Sequence, residues 1–191
     1  MFWFLGNKSL KKSRNIFLIS KFLTILRYVS RVKQIIFIFN NGRSKRIESD
    51  PNGPKEFFYT YDYFKKENSN VDLLEPNSTP GKLSKFIFKA LRKISKLPIF
   101  AENFINAKKI KKIIKSDKII STNQNLSFSI LPILYFRNLF SYFELYTFAM
   151  GLVELSNKNL INKALVKTFY KLSHKVIFIS KSEYDEACKN F

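Results

Sequence analysis

The chain has 191 residues, 34 of them Lys or Arg against 14 Asp or Glu, for a formal net charge of +20. That length fits one domain with its own core and is short for two; one cysteine, Cys188, excludes an intrachain disulfide, and a single histidine, His174, leaves too few soft ligands for a structural zinc site. The charge points to nucleic acid, an anionic membrane surface or polyanionic ligands, yet abundant Lys, Asn, Ile, Phe and Tyr beside scarce Arg is also what an AT-rich coding sequence produces, and scarce Arg argues against nucleic acid.

Residues 1–31 read as a basic, apolar helical extension. A helix over 15–29 is apolar on most sides, with Lys21 and Arg27 breaking the run. It is too interrupted to span a bilayer and lacks a small-residue cleavage site. It suits an interfacial anchor on an anionic leaflet, a helix packed on the domain, or an extension without a role. A reducing cytoplasm is the default compartment, with a peripheral position on the inner face of the cell membrane as a further expectation.

Residues 32–76 carry the main fold signal. The apolar run 35–39 predicts a strand buried on both faces, the home of which is a parallel sheet. A polar loop follows, marked by Asn40, Asn41, Gly42 and then by Asp50, Pro51, Asn52, Gly53 and Pro54. Phe57, Tyr61 and Phe64 share one helix face, and 71–74 gives a second strand, closing a βαβ unit. Ligands of open α/β sheets gather beyond the C-terminal strand ends, so the loop beginning at Asn40, Asn41 and Gly42 is the first candidate site.

After a loop over 77–81, Leu83, Phe86, Ile87, Ala90, Leu91, Ile94 and Leu97 recur at helical spacing until Pro98, which predicts a helix lying on a sheet or a lid. In 102–115, Ala107, Ile110, Ile113 and Ile114 share one side while Lys108, Lys111, Lys112 and Lys115 line the other, a face for phospholipid or phosphate or a plain solvated one. Residues 117–123 form a strand ending in the polar cluster Ser121, Thr122 and Asn123, expected at the same sheet edge as Asn41 and Gly42. Residues 125–135 read as a helix interrupted by Pro132, and 146–150 as a strand ended by Gly151. The long apolar stretch 126–153 holds Arg137 and Glu144, which favours buried α/β elements over a membrane span. A helix over 160–172 precedes His174, read as a helix C-terminal residue rather than a catalytic one, and a strand over 176–179. Ser180 with Glu183 matches a capping box opening a helix over 181–190.

The NNG loop, the KEFFYTYDYF helix, the DKIISTN strand, the FAMGL strand end and the closing KVIFISKSEYDEA resemble the N-terminal, acceptor-side domain of family-4-type glycosyltransferases of the GT-B fold. The resemblance covers 32–191 and leaves 1–31 unmatched. It implies an α/β, Rossmann-like open parallel sheet with helices on both faces, a single domain forming half of a GT-B architecture, with an extra N-terminal helix. It also implies a hexosyltransferase-type reaction from a nucleotide-sugar donor to a glycan or lipid-linked acceptor, with no other cofactor and no metal. The second domain, which would hold the donor and an E-x7-E glutamate pair, is expected to be missing here, either lost by truncation or encoded separately, so that this half alone is inactive. Glu48 with Glu56, and Glu67 with Glu75, have that spacing by coincidence. On this view Asn41, Gly42, Arg43, Thr122, Asn123, Met150, Gly151 and Ser180 line the interdomain cleft, although each also fits an ordinary turn or cap. The competing reading is a non-enzymatic basic module for membrane or RNA, and a hydrolase recruiting His174 comes third.

Overall fold

The computed structural model describes residues 3–6, 34–49, 61–67, 70–77, 79–95, 97 and 99–190. Strand β2, Ile35–Ile38, is buried throughout. Side chains alternate across a strand. Ile36 and Ile38 therefore enter the larger of two cores, while Ile35, Phe37 and the adjoining Phe39 enter a smaller one with Tyr61. Phe37 meets Tyr61 edge-on at 5.3 Å and stacks on Phe39 at 6.0 Å. Burying a ring of this kind stabilises the fold by roughly 2–3 kcal/mol.

Five more strands complete the sheet: β1, Trp3–Gly6; β3, Val71–Leu74; β4, Lys118–Ser121; β5, Glu144–Ala149; and β6, Lys175–Phe178. Their order is β1-β6-β5-β4-β2-β3. The strands β2 to β6 run parallel, and β1 closes the far edge antiparallel to β6, with Trp3 opposite Phe178. From β2 the chain steps outward once, to β3, then returns past β2 to β4 and continues to β5 and β6. That reversal opens a crevice beyond the C-terminal ends of β2 and β4.

The helices are α1, Arg43–Ser49; α2, Tyr61–Glu67; α3, Lys82–Ser95; α4, Ala107–Lys115; α5, Gln124–Asn138; α6, Leu152–Asn157; α7, Leu160–Leu172; and α8, Lys181–Asn190, with a 3-10 turn at Ala101–Phe104. They cover both faces of the sheet. Ile47 of α1 and Phe64 of α2 pack on the smaller core, while α5 and α7 supply the larger one, where Phe128 meets Phe169 at 5.2 Å. The chain is therefore an α/β domain with a Rossmann-like open sheet, as the strand and helix patterns predict. No described helix is long and apolar enough to cross a membrane.

Several local expectations change. Trp3–Gly6 is an edge strand, not helix, because an apolar aromatic segment pairs with the otherwise open edge of β6; the expected helix over 15–29 lies outside the described residues, as do the loop 50–54 and Phe57. Part of the polar loop is helix α1, whose first turn is stabilised by a residue distant in sequence, Glu75. Helix α5 runs through Pro132 without interruption. Its buried Phe128, Ile130, Leu131 and Leu134 hold both halves in line, and this packing outweighs the hydrogen bond that proline removes.

The largest change concerns α3. Phe88 and Leu91 face the core, and Ser95 is buried, whereas Leu83, Phe86, Ile87 and Ile94 are 73%, 72%, 52% and 60% exposed. Of the apolar stripe, Leu91 and Leu97 pack in the larger core, and the rest is not covered by the sheet. Arg92 fixes the rotation of the helix by binding Glu102 at 2.5 Å and the Ile99 carbonyl at 2.9 Å while covering the Phe100 ring. With that face anchored, the rest of the stripe is left toward solvent.

Candidate functional site

The crevice at the strand reversal has a volume of about 120 Å³ and is lined by Phe39, Asn40, Arg43, Thr122, Asn123, Gln124, Phe148, Met150 and Ile179. Strands β2, β4, β5 and β6 each deliver residues to it at or just beyond their C-terminal ends. The polar rim is cross-linked. Thr122 donates from its hydroxyl (3.1 Å) and its N–H (3.2 Å) to the Ile38 carbonyl, tying β4 to β2. Asn123 caps α5 by accepting from the Leu126 N–H at 3.0 Å, and its amide nitrogen donates to Asn40 Oδ1 at 3.3 Å. The Gln124 side chain accepts from the Met150 N–H at 3.1 Å and donates to the Met150 carbonyl, fixing the loop after β5. Beneath the rim, the buried hydroxyls of Ser127 and Thr147 bond at 2.8 Å, joining α5 to β5.

Four of the eight residues proposed from the sequence, Arg43, Thr122, Asn123 and Met150, line this crevice; the others flank it. Gly42 and Gly151 occupy the left-handed region, at φ of 88° and 71°, where a side chain is strained. Gly151 turns the chain from β5 into α6. Asn41 precedes Gly42 in the turn from β2 into α1. Ser180 shares a hydrogen bond with Ser182 at 2.6 Å. The predicted capping box does not form as read: Glu183 accepts from the Leu152 N–H at 2.8 Å and thereby caps α6 instead. Asn40 opens the loop that the sequence marks as the first candidate site, whereas Phe39, Gln124, Phe148 and Ile179 are lining residues that sequence reasoning missed. The usable signal is position alone, since each ends or follows a strand.

The first loop cannot serve as an open phosphate cradle. Glu75, buried at the end of β3, accepts from the Gly42 N–H at 3.3 Å and the Ser44 N–H at 2.6 Å, so an internal carboxylate already occupies the positive end of α1. Lys109 binds the Glu75 carbonyl at 2.7 Å. Burial lowers the Lys109 pKa, and the nearby Glu75 charge opposes that shift.

Of the four lysines singled out on α4, Lys108, Lys111 and Lys115 are exposed and Lys112 is half-buried. Lys108 and Lys112 border a separate groove of about 500 Å³ beside β3, where Lys112 pairs with Asp72 at 3.0 Å. That groove mixes cations with Glu48, Asp72 and Glu75. His174 lies beside β5, its N–H donating to the Leu145 carbonyl at 2.8 Å and its ring 5.3 Å from Tyr146. It does not line the crevice.

Among the described residues, Arg43 is the sole ionisable one in the crevice lining. Among the described residues the lining offers binding groups, and its one hydroxyl, on Thr122, donates to the Ile38 carbonyl rather than to a side-chain base. Among the described residues, no cluster of His, Cys, Asp and Glu could hold a metal ion. Comparison of the chain with protein families, with curated proteins and with solved structures gives no match.

Proposed function

We propose that this chain is the acceptor-binding half of a GT-B glycosyltransferase, holding the glycan or lipid-linked acceptor to which a sugar passes from a nucleotide-sugar. The observation that carries the reading is the chemistry of the crevice: amides and a hydroxyl around one guanidinium, at the point where the strand order reverses. Carboxamides present donors and acceptors together and so match sugar hydroxyls, which do the same. Phe39 and Phe148 add apolar surface for the C–H face of a sugar ring. A nucleoside diphosphate would instead seek converging N–H groups at a helix start, and those after β2 are taken by Glu75.

In this reading the donor and the glutamate pair belong to a second domain, and this half contributes acceptor position and the charge of Arg43. The transition state would be oxocarbenium-like, with the leaving diphosphate stabilised by positive groups and helix N-termini. The assembly would work at the inner face of the cell membrane, where lipid-linked acceptors are presented.

The test is an NMR titration of the labelled chain with neutral oligosaccharides and, separately, with nucleotide-sugars. Saccharide-induced shifts at Asn40, Thr122 and Asn123, with affinity weakened roughly tenfold in Arg43→Ala through loss of a charged hydrogen bond, are the expected result. Nucleotide-sugar binding in the crevice tighter than any saccharide, or no shift with any saccharide, would overturn the reading.

A further inference from the structure

We infer that α3 is a membrane-surface helix that beds its exposed apolar stripe into an anionic lipid leaflet. The inference rests on the peripheral-membrane part of the reading above and is independent of what the crevice binds.

Three features of α3 carry it. Leu83, Phe86, Ile87 and Ile94 form an exposed apolar face on a helix whose core-facing side, through Phe88 and Leu91, is already packed. Bordering that face is a row of four exposed lysines, Lys82, Lys85, Lys89 and Lys93. The helix contains no acidic residue. A strongly amphipathic helix, apolar along one side only, with Phe and Leu on that side and lysines beside it, is the pattern that lies in the headgroup plane of a bilayer. Juxtamembrane lysines then gain from the negative surface potential.

Charge selects the occupant. A second copy docked through the same face would bring two lysine rows together with no acid on either helix, and like charges oppose that contact. An anionic leaflet supplies both the apolar layer for Phe86 and Ile87 and the counter-charge for the lysines. The stripe also differs from the lysines of α4, among which Lys112 is paired with Asp72.

The experiment is co-flotation of the full chain with vesicles of phosphatidylcholine alone and of phosphatidylcholine mixed with phosphatidylglycerol. Binding to the mixed vesicles only is expected, weakened at least about tenfold by the double substitution Phe86→Ser and Ile87→Ser. A comparable loss is expected for Lys85→Gln with Lys89→Gln, and this loss should shrink at high salt. Circular dichroism melts of both variants matching the parent would show that the fold is kept. Unchanged vesicle binding by the Phe86/Ile87 variant, no binding by the parent chain, or a parent dimer that this variant dissociates would each overturn the inference. So would RNA binding tighter than vesicle binding and indifferent to Phe86 and Ile87. None of these results depends on saccharide binding, so failure here and failure of the acceptor reading remain distinguishable.

Discussion

Helices α3 and α5 invert what their sequences advertise. Helix α3 has a regular apolar stripe and shows much of it to solvent; α5 has little periodicity and is buried on most sides, from Leu126 and Phe128 to Leu134 and Arg137. Periodicity reports that a helix has two kinds of face. It does not report which face the rest of the fold covers. In α3 that choice is made by Arg92 binding Glu102, and in α5 by a position between β4, β5 and α7, where even Ser127 and Ser129 find internal partners.

The comparison is sharpest at two phenylalanines. Phe128 is fully buried against Phe169, so Phe128→Ala leaves a cavity in the larger core. A loss of about 3–5 kcal/mol is expected, read from urea denaturation at unchanged slope. A loss below about 1 kcal/mol would mean that α5 is not the central helix.

Arg137 gives the next largest effect. Its side chain is 5% exposed, donates to the carbonyls of Ile113 at 2.7 Å and Tyr142 at 3.3 Å, and lies over the Phe143 ring. Burial pulls its pKa down to about 10, against the opposing pull of Asp117, and it stays charged at neutral pH. Arg137→Ala removes both charged hydrogen bonds, leaving Ser116 Oγ at 2.9 Å as a donor to the Ile113 carbonyl, and is expected to cost about 2–3 kcal/mol by the same denaturation measurement. Equal stability of Arg137→Ala and the parent would place that end of α5 in water.

How much of this is legible depends on whether the deciding partner is near in sequence. The strand at Ile35–Ile38 and the helices Leu160–Leu172 and Lys181–Asn190 follow their local patterns closely, because an apolar run or stripe and its polar ends lie within one short window. Helix α1 cannot be read locally, since its N-terminus is capped by Glu75 from beyond β3. Glu183 misleads for the same reason: Ser180 offers a local motif, but the Leu152 N–H, distant along the chain, takes the carboxylate. The crevice divides likewise. Strand ends lead to Arg43, Thr122, Asn123 and Met150, while Phe148 and Ile179 carry no polar signal, and Gln124 is hidden because its bonds run to the loop after β5.

The smallest expected effect tests the other side of the comparison. Phe86 is the same residue type as Phe128, on a helix of similar length, yet it is 72% exposed. Phe86→Ser removes little buried area from the folded chain, and serine in place of phenylalanine scarcely changes helix propensity. Stability is therefore expected to stay within about 0.5 kcal/mol of the parent. A fall of about 2 kcal/mol or more would mean that the stripe is covered in the isolated chain in solution, and α3 would then join α5 as a core helix. An unchanged midpoint with lost vesicle binding would separate the two roles: Phe128 holds the domain together, and Phe86 belongs to what the domain touches.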